Sequence, residues 1–303
     1  MIKVLLVEAS AADARQACDM LTEAGEGGIQ VTHVEKLSTA LRKLNRESFD
    51  VILLYGDLLD THGLGMLDLL QAAFARMPIV MLTDQKDAGK ERQAIKRGIQ
   101  DVVVKEQWTA EQLVRSVRHA FDRKEAEKHL SYLAQYDPLT ALANRALFRD
   151  RLVHAIRIAK RKKQEVGVVL LGLDRFKSLA DTLGSDGCDT LLQETANRLK
   201  QCMREVDTVA RLEGDEFTCL LEGLNCRADT ELVAKRVIDS IAKPFTVKGE
   251  EVAVTASVGL TVYPLDGQLV DELLERAREA LSAAQESGGG SYQFSAFRWM
   301  PPS

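Results

Sequence analysis

Two adjacent carboxylates, Asp215 and Glu216, stand where the sequence predicts the tip of a β-hairpin. Apolar residues within 206–212 predict one short strand, and residues 217–221 predict the returning strand. Gly214 supplies the turn between them. Neighbouring carboxylates on a tight turn suit Mg²⁺ and phosphate chemistry, because a hard cation binds oxygen ligands and neutralises the phosphates beside it.

The composition limits the classes of protein to which the chain can belong. It has 303 residues, of which 46% are hydrophobic and 28% charged, and this predicts a globular protein with room for two domains. The net charge of −5 predicts no general attraction to nucleic acid or to an anionic membrane. Five cysteines without a C-x-x-C pair indicate a reducing compartment and no zinc site. The N-terminus is too short for a signal peptide and no apolar run could span a membrane, so we expect a cytoplasmic protein.

The first part of the chain alternates short apolar runs with amphipathic stretches, which predicts an α/β fold with a parallel sheet covered on both faces. The predicted strands are Ile2 to Val7, Ile29 to Val34, Val51 to Tyr55, Ile79 to Leu82 and Val102 to Val104. In such sheets the reactive site lies at the carboxyl ends of the strands. Those ends carry Glu8, Tyr55, Thr83 and Lys105.

Residues 49–63 and 98–105 resemble the third and fifth strands of response-regulator receiver domains. The resemblance covers the whole segment and implies a (βα)5, flavodoxin-like fold. Receivers carry two acids after the first strand, a phosphoacceptor Asp at the end of the third, then Thr or Ser, and Lys. Here Glu8, Thr83 and Lys105 remain in the receiver pocket, Ala9 replaces one acid, and Tyr55 occupies the phosphoacceptor position.

These replacements predict a pseudo-receiver that phosphorylation of an Asp does not switch. Acyl-phosphate formation needs a carboxylate nucleophile beside Mg²⁺, and a phenol with a pKa near ~10 cannot substitute for it. Asp57 is the alternative acceptor, two residues further on. The structural alternative for Tyr55 is a partly buried aromatic whose hydroxyl binds Lys105 or Glu8.

A charged helix is predicted over 109–135, with Thr109 to Gln112 as a capping box. Its interrupted apolar stripe suits a helical joint or a short dimer stalk. We therefore divide the chain into a receiver-like domain over 1–121, a helical linker over 122–135 and a third segment over 136–303.

The third segment resembles GGDEF domains, which condense two GTP molecules into cyclic di-GMP. The motifs are Asp137 to Arg145, Asp174 to Lys177, Asp181 to Gly184 and Arg204 to Phe217. Residues 242–264 are similar to GGDEF domains that precede EAL phosphodiesterase domains. The resemblance implies an α+β, nucleotidyl-cyclase or palm-like domain with a mixed, mainly antiparallel sheet, and a homodimer, since two half-sites must face each other.

The resemblance assigns catalytic roles that this chain keeps only in part. Asp215 matches the metal ligand of the hairpin and Glu216 the neighbouring catalytic acid, but Gly172 stands where the family has its second metal-binding Asp. Ala180 replaces the Asn that reads guanine, and Asp189 matches the Asp that does so. One carboxylate pair is therefore expected to bind Mg²⁺ weakly, if at all.

The triphosphate contacts of the family are missing as well. Gln285 and Gly289 replace two cations on the last helix, and Glu213 adds a negative charge in place of a glycine. The remaining GTP-site candidates are Asp174, Lys177, Asp181 and Asp189. The structural alternatives are that Asp189 caps the helix running to Met203 and that Asp174 caps the turn after its strand.

Arg204 and Asp207 form the R-x-x-D motif at which the family binds cyclic di-GMP as an inhibitor, and Arg236 resembles the arginine that completes that site. Arg can bind guanine or phosphate oxygens in a fork, and Asp can accept from the guanine edge. The alternative is a salt bridge at a helix end.

The sequence therefore predicts a non-catalytic cyclic di-GMP signalling protein that acts through other signalling proteins. It requires no cofactor, and Mg²⁺, cyclic di-GMP or GTP are the ligands to test. Nucleic acid and membrane are not expected partners. One alternative is a divergent diguanylate cyclase that uses Asp215 and Glu216; another is the regulatory part of a longer GGDEF–EAL protein.

Overall fold

The computed structural model describes residues 1–55, 77–84, 88–105, 108–224 and 226–296. The chain divides into two compact units, Met1–Leu130 and Ser131–Ser303. The alternative phosphoacceptor Asp57 lies outside the described residues. Among the helices that the structure describes, none has the length and apolar character needed to cross a membrane.

The first unit contains one parallel sheet with the strand order β2-β1-β3-β4-β5. Its described elements are β1 (Ile2–Val7), α1 (Ala11–Ala24), β2 (Ile29–Val34), α2 (Leu37–Leu44), β3 (Val51–Tyr55), β4 (Ile79–Thr83), α3 (Ala88–Lys96) and β5 (Asp101–Val104). Apolar side chains pack on both faces of this sheet, as continuous Val, Ile and Leu runs require. The predicted flavodoxin-like fold is confirmed, and each strand lies within one residue of its expected position.

A long helix, α4 (Ala110–Leu133), follows the first sheet. The Thr109 hydroxyl accepts a hydrogen bond from the Gln112 amide at 3.1 Å, which is one of the two bonds of the predicted capping box. Leu113 and Val117 are buried, whereas Leu130 is exposed. The domain boundaries and the linker over 122–135 stay predictions.

The second unit contains a mixed sheet with the order β12-β11-β6-β8-β7, in which only the β11–β12 pair is parallel. Its elements are α5 (Arg145–Lys162), β6 (Glu165–Leu173), α6 (Phe176–Cys202), β7 (Thr208–Glu213), β8 (Glu216–Leu224), α7 (Arg227–Ile241), β9 (Phe245–Val247), β10 (Glu250–Val252), β11 (Ala256–Tyr263), α8 (Val270–Glu286) and β12 (Tyr292–Phe294). Strands β9 and β10 form a separate antiparallel hairpin. The expected mainly antiparallel sheet is confirmed.

Side chains of β6 alternate between two apolar layers. Val168 and Leu170 pack on the face that α5 and α8 cover, and Leu171 and Leu173 pack on the face that α6 and α7 cover. A Cβ on Gly259 would collide with the carbonyl oxygen of Ala277, so α8 lies directly against the sheet. This close packing determines which α8 side chains face the hairpin tip.

Candidate functional site

Strands β7 and β8 form the predicted hairpin, and Gly214 stands in its turn with a φ of 53°. Arg211 fixes this turn. Its Nε donates to the carbonyl oxygen of Gly214 at 2.9 Å, and its Nη1 donates to Asp137 Oδ1 at 3.1 Å. Burial opposes the charge of Asp137, but hydrogen bonds from Thr140 and the Arg211 charge prevail and lower its pKa. Asp137, the first residue of the motif Asp137 to Arg145, therefore holds the hairpin in place.

Asp215 is half-buried beside the end of β6. Burial raises the pKa of its carboxyl, and the nearby Glu216 charge acts in the same direction. Backbone hydrogen bonds involving Asp215 itself and Leu173 oppose this rise in pKa. In the described structure the carboxylate is therefore bound by the backbone.

Glu216 faces a cation from α8. Its Oε2 lies 3.5 Å from Nε of Arg278, and both side chains are partly exposed. Sequence reasoning missed Arg278. Helix periodicity could have found it, because it precedes Gln285 by two helical turns and so lies on the same face.

Gly172 pairs with Glu216 across β6 and β8, so the two positions share a face of the sheet. A Cβ on Gly172 would lie 3.1 Å from Nε2 of Gln285 and 3.5 Å from Cδ2 of Leu281. Two of the positions that depart from the family pattern, 172 and 285, are therefore neighbours. The space beside the hairpin tip holds a neutral amide.

Asp174 serves a structural role in this arrangement. Its carboxylate accepts hydrogen bonds from Thr255 Oγ1 and Ser257 Oγ at 2.7 Å and from the Gly290 amide at 2.8 Å. The alternative that Asp174 caps the turn after its own strand is wrong, because these bonds reach β11 and the turn before β12. A Cβ on Gly289 would lie 2.8 Å from Asp174 Oδ2, so a lysine or arginine at position 289 would require this turn to move.

The other GTP-site candidates line helix α6. Lys177 and Asp181 precede a kink at Gly184, whose φ of 68° and ψ of 178° are not helical, and Asp189 follows it. All three side chains are exposed. Asp189 lies inside the second half of the helix and does not begin it, so the alternative that it caps this helix is wrong. The structure does not bring these residues into contact with Asp215 or Glu216.

Arg204 donates three hydrogen bonds to the Asp207 carboxylate. The Arg204 amide and Nε donate to Asp207 Oδ2 at 3.0 and 3.2 Å, and Nη2 donates to Oδ1 at 3.2 Å. The Asp207 side chain is fully buried, while that of Arg204 is 55% exposed. Arg236 donates to the carbonyl oxygen of Cys202, two residues before Arg204. The three predicted residues therefore lie near one another, and the salt bridge that we considered as the alternative is present.

The receiver pocket brings together four charged groups. Lys105 Nζ lies 2.6 Å from Asp13 Oδ2 and 3.5 Å from Asp84 Oδ1, and 5.7 Å from the centre of the Tyr55 ring. Its hydrogen bond with Asp13 raises the pKa of Lys105 and lowers that of Asp13. Glu8 is buried and accepts from the Ser10 amide at 2.7 Å. Sequence reasoning missed Asp13, which stands in the first turn of α1.

Tyr55 is buried at the end of β3, so no carboxylate occupies the phosphoacceptor position. Thr83 ends β4 and is half-buried. Within the described ranges, no group of three or more His, Cys, Asp or Glu side chains could hold a metal ion, either here or at the hairpin tip.

Comparison with known proteins identifies both units. The diguanylate cyclase GGDEF domain family matches residues 134–291, more than half of the chain, and the response regulator receiver domain family matches residues 4–118. The chain belongs to the GGDEF family, with a receiver domain preceding the GGDEF domain.

Three similar proteins come from Pseudomonas aeruginosa. The bifunctional diguanylate cyclase/cyclic di-GMP phosphodiesterase MucR is 39% identical over 169 residues, which are 56% of this chain and 24% of MucR. The structure of an N-terminally truncated TpbB that comprises only the GGDEF domain has a TM-score of 0.52 and 36% identity, covering 53% of this chain and 94% of that one. The diguanylate cyclase SiaD, in complex with its activator SiaC, has a TM-score of 0.51 and 26% identity, covering 93% of this chain and 98% of that one. The chain spans about a quarter of the length of MucR.

Proposed function

We propose that this protein is a cyclic di-GMP signalling protein whose GGDEF domain does not make cyclic di-GMP and acts through contacts with partner proteins. The observation that carries this proposal is that Gly172 and Gln285 are neighbours beside the hairpin tip. A two-metal transfer needs carboxylates that hold both ions and cations that hold the triphosphate. Here the first position has no carboxylate and the second has no charge.

Incubation of the purified chain with GTP and Mg²⁺ or Mn²⁺, followed by anion-exchange chromatography, tests this proposal. We expect GTP to remain unchanged. The Glu216→Gln variant is the control: product that forms with both proteins comes from a contaminating cyclase. Cyclic di-GMP that forms with the wild type and not with the variant would overturn the proposal and establish the divergent cyclase.

The divergent cyclase is the second candidate, because Asp215 and Glu216 keep their places at the hairpin tip. The similar protein MucR is also named as a diguanylate cyclase. A third candidate is a regulatory part of a longer protein, which the short span relative to MucR favours. An EAL reading frame that continues the chain would support it.

We further propose cyclic di-GMP as the ligand of the region around Arg204. A groove of about 210 Å³ opens there, and its described charged lining consists of Arg151, Lys200, Arg204 and Asp207. Because Asp207 is buried and already bound by Arg204, the groove presents excess positive charge to phosphates. Met203 and Tyr136 add apolar surface for a base.

Isothermal titration calorimetry with cyclic di-GMP tests this second step. Arg204→Ala should weaken binding at least tenfold, since charge-assisted bonds to phosphate or guanine are lost. Arg115→Ala, which removes an exposed cation from the first unit, should leave the affinity unchanged. Absence of binding to the wild type would leave a module that acts through proteins alone. The complex of the diguanylate cyclase SiaD with its activator SiaC supports contact with a protein partner.

A further inference from the structure

We infer that Arg278 is a built-in counter-ion for Glu216 that keeps divalent cations away from the hairpin tip. This inference rests on the proposed loss of cyclase chemistry, and it adds the reason why the remaining carboxylates do not hold a metal. The residue lies on α8, outside every motif that marks the family in this sequence.

The register of the sheet defines where a cation would have to bind. Gly172 of β6 and Glu216 of β8 are direct partners on the face that α8 covers. An ion held between these strands would need oxygen ligands from both of them, because hard divalent cations bind several oxygens at once. Of these two partners in the described sheet, Glu216 supplies a carboxylate and Gly172 supplies none.

Helix α8 fills both halves of this space with side chains of its own. Gln285 lies beside Gly172, and Arg278, two turns earlier on the same helical face, lies beside Glu216. The Arg278 guanidinium supplies Glu216 with the positive charge that a metal ion would otherwise supply. A cation that approached Glu216 would meet this like charge at close range.

The surrounding charges agree with this role. Arg211 binds the Gly214 carbonyl in the turn and contributes a second positive charge near Asp215. The neighbouring Arg149 binds Asp271 at 2.6 Å and does not contact Glu216 in the described structure. Arg149 therefore offers a matched control, since its removal takes one cation from the same side of the domain.

A titration of the full chain with Mn²⁺ tests the inference without any enzymatic readout. The electron paramagnetic resonance signal of free Mn²⁺ measures how much of the ion is bound. The set comprises the wild type, Gly172→Asp, Gly172→Asp with Arg278→Gln, and Gly172→Asp with Arg149→Gln. Any Mn²⁺ bound by acids of the receiver unit is common to all of them and cancels in the comparison. We expect Gly172→Asp with Arg278→Gln to bind Mn²⁺ at least tenfold more tightly than Gly172→Asp alone, and Arg149→Gln to have no such effect.

Two results would overturn the inference. One is equal Mn²⁺ affinity, or no binding, in Gly172→Asp with and without Arg278→Gln. The other is wild-type binding that Glu216→Gln abolishes. If Gly172→Asp does not fold by circular dichroism, the same comparison is made with Gln285→Ala added, which removes the side chain nearest to the new Cβ. Cyclic di-GMP synthesis by the wild type would contradict the proposed function, independently of the Mn²⁺ data.

Discussion

The Gln285 amide nitrogen lies 3.1 Å from the point that a Cβ on Gly172 would occupy, which joins two positions 113 residues apart in one contact. The resemblance to the family places a carboxylate at the first position and a cation at the second. Such groups would neutralise each other at this distance, and loss of one alone would leave an unpaired charge beside Asp215. The neutral pair found here avoids that cost, so the two replacements form one consistent change.

Asp174 should matter for stability far more than the other predicted GTP-site acids. Asp174→Ala removes three hydrogen bonds to a carboxylate, and we expect a loss of about 2 kcal/mol in the free energy of unfolding. The matched change Asp181→Ala affects an exposed side chain and should cost less than about 0.5 kcal/mol. Urea unfolding of both variants measures the difference, and equal losses would contradict the structural role of Asp174.

Local sequence patterns predicted the strands and helices. The side-chain contacts that were not predicted join residues far apart in the chain. The strands around Gly172 and Glu216 follow from apolar runs and turn residues, which depend on near neighbours. The Arg278–Glu216 and Asp13–Lys105 pairs join distant segments. Helix periodicity places Arg278 on the face of Gln285, but spacing along the chain does not reveal which acid either cation binds. The capping alternatives for Asp174 and Asp189 failed for the same reason. One carboxylate binds across the sheet, and the other follows a kink at Gly184, five residues earlier.

Ala141 occupies a position where the backbone favours glycine. Its φ is 54°, in the left-handed region, and its amide donates to the Asp137 carbonyl at 2.9 Å. A non-glycine residue there costs about 1–2 kcal/mol, while glycine loses about 0.4–1 kcal/mol through greater freedom of the unfolded chain. Ala141→Gly should therefore raise the free energy of unfolding by about 0.5–1 kcal/mol. Urea unfolding checks this, with Ala146→Gly in the exposed first turn of α5 as the control that should destabilise.

The receiver should resist phosphorylation by a small phosphodonor. Tyr55 stands at the end of β3, and Lys105 is already bound to Asp13 at 2.6 Å. Incubation with acetyl phosphate and Mg²⁺ should leave the intact mass unchanged, because no carboxylate nucleophile lies at the acceptor position. The appearance of a phosphorylated species that Asp57→Asn abolishes would contradict this expectation and make Asp57 the acceptor.

Glu8 should make the stability of the chain fall as the pH rises. Its side chain is 3% exposed, and Oε2 has no hydrogen-bond partner within the described part of the chain. Burial raises the pKa of this carboxyl above its ordinary 4.5, and the Asp13 charge adds to the rise, while the Ser10 amide and Lys105 oppose it. The folded chain therefore holds the proton more tightly than the unfolded chain does. The resulting stabilisation is complete below pH 4.5 and is lost as the pH rises through the folded-state pKa.

The Glu8→Gln variant removes this titration while keeping the size of the side chain. We expect its advantage over the wild type to be about 1 kcal/mol at pH 7, because a buried charge that Ser10 and Lys105 compensate only in part is replaced by a neutral amide, and to shrink towards zero below pH 4.5. Urea unfolding of both proteins across this range gives the difference directly. Glu35→Gln, at an exposed position, should show no such dependence on pH. A wild type that is the more stable of the two at pH 7 would mean that the Glu8 carboxylate is stabilised by a cation, and Lys105 would then be its partner.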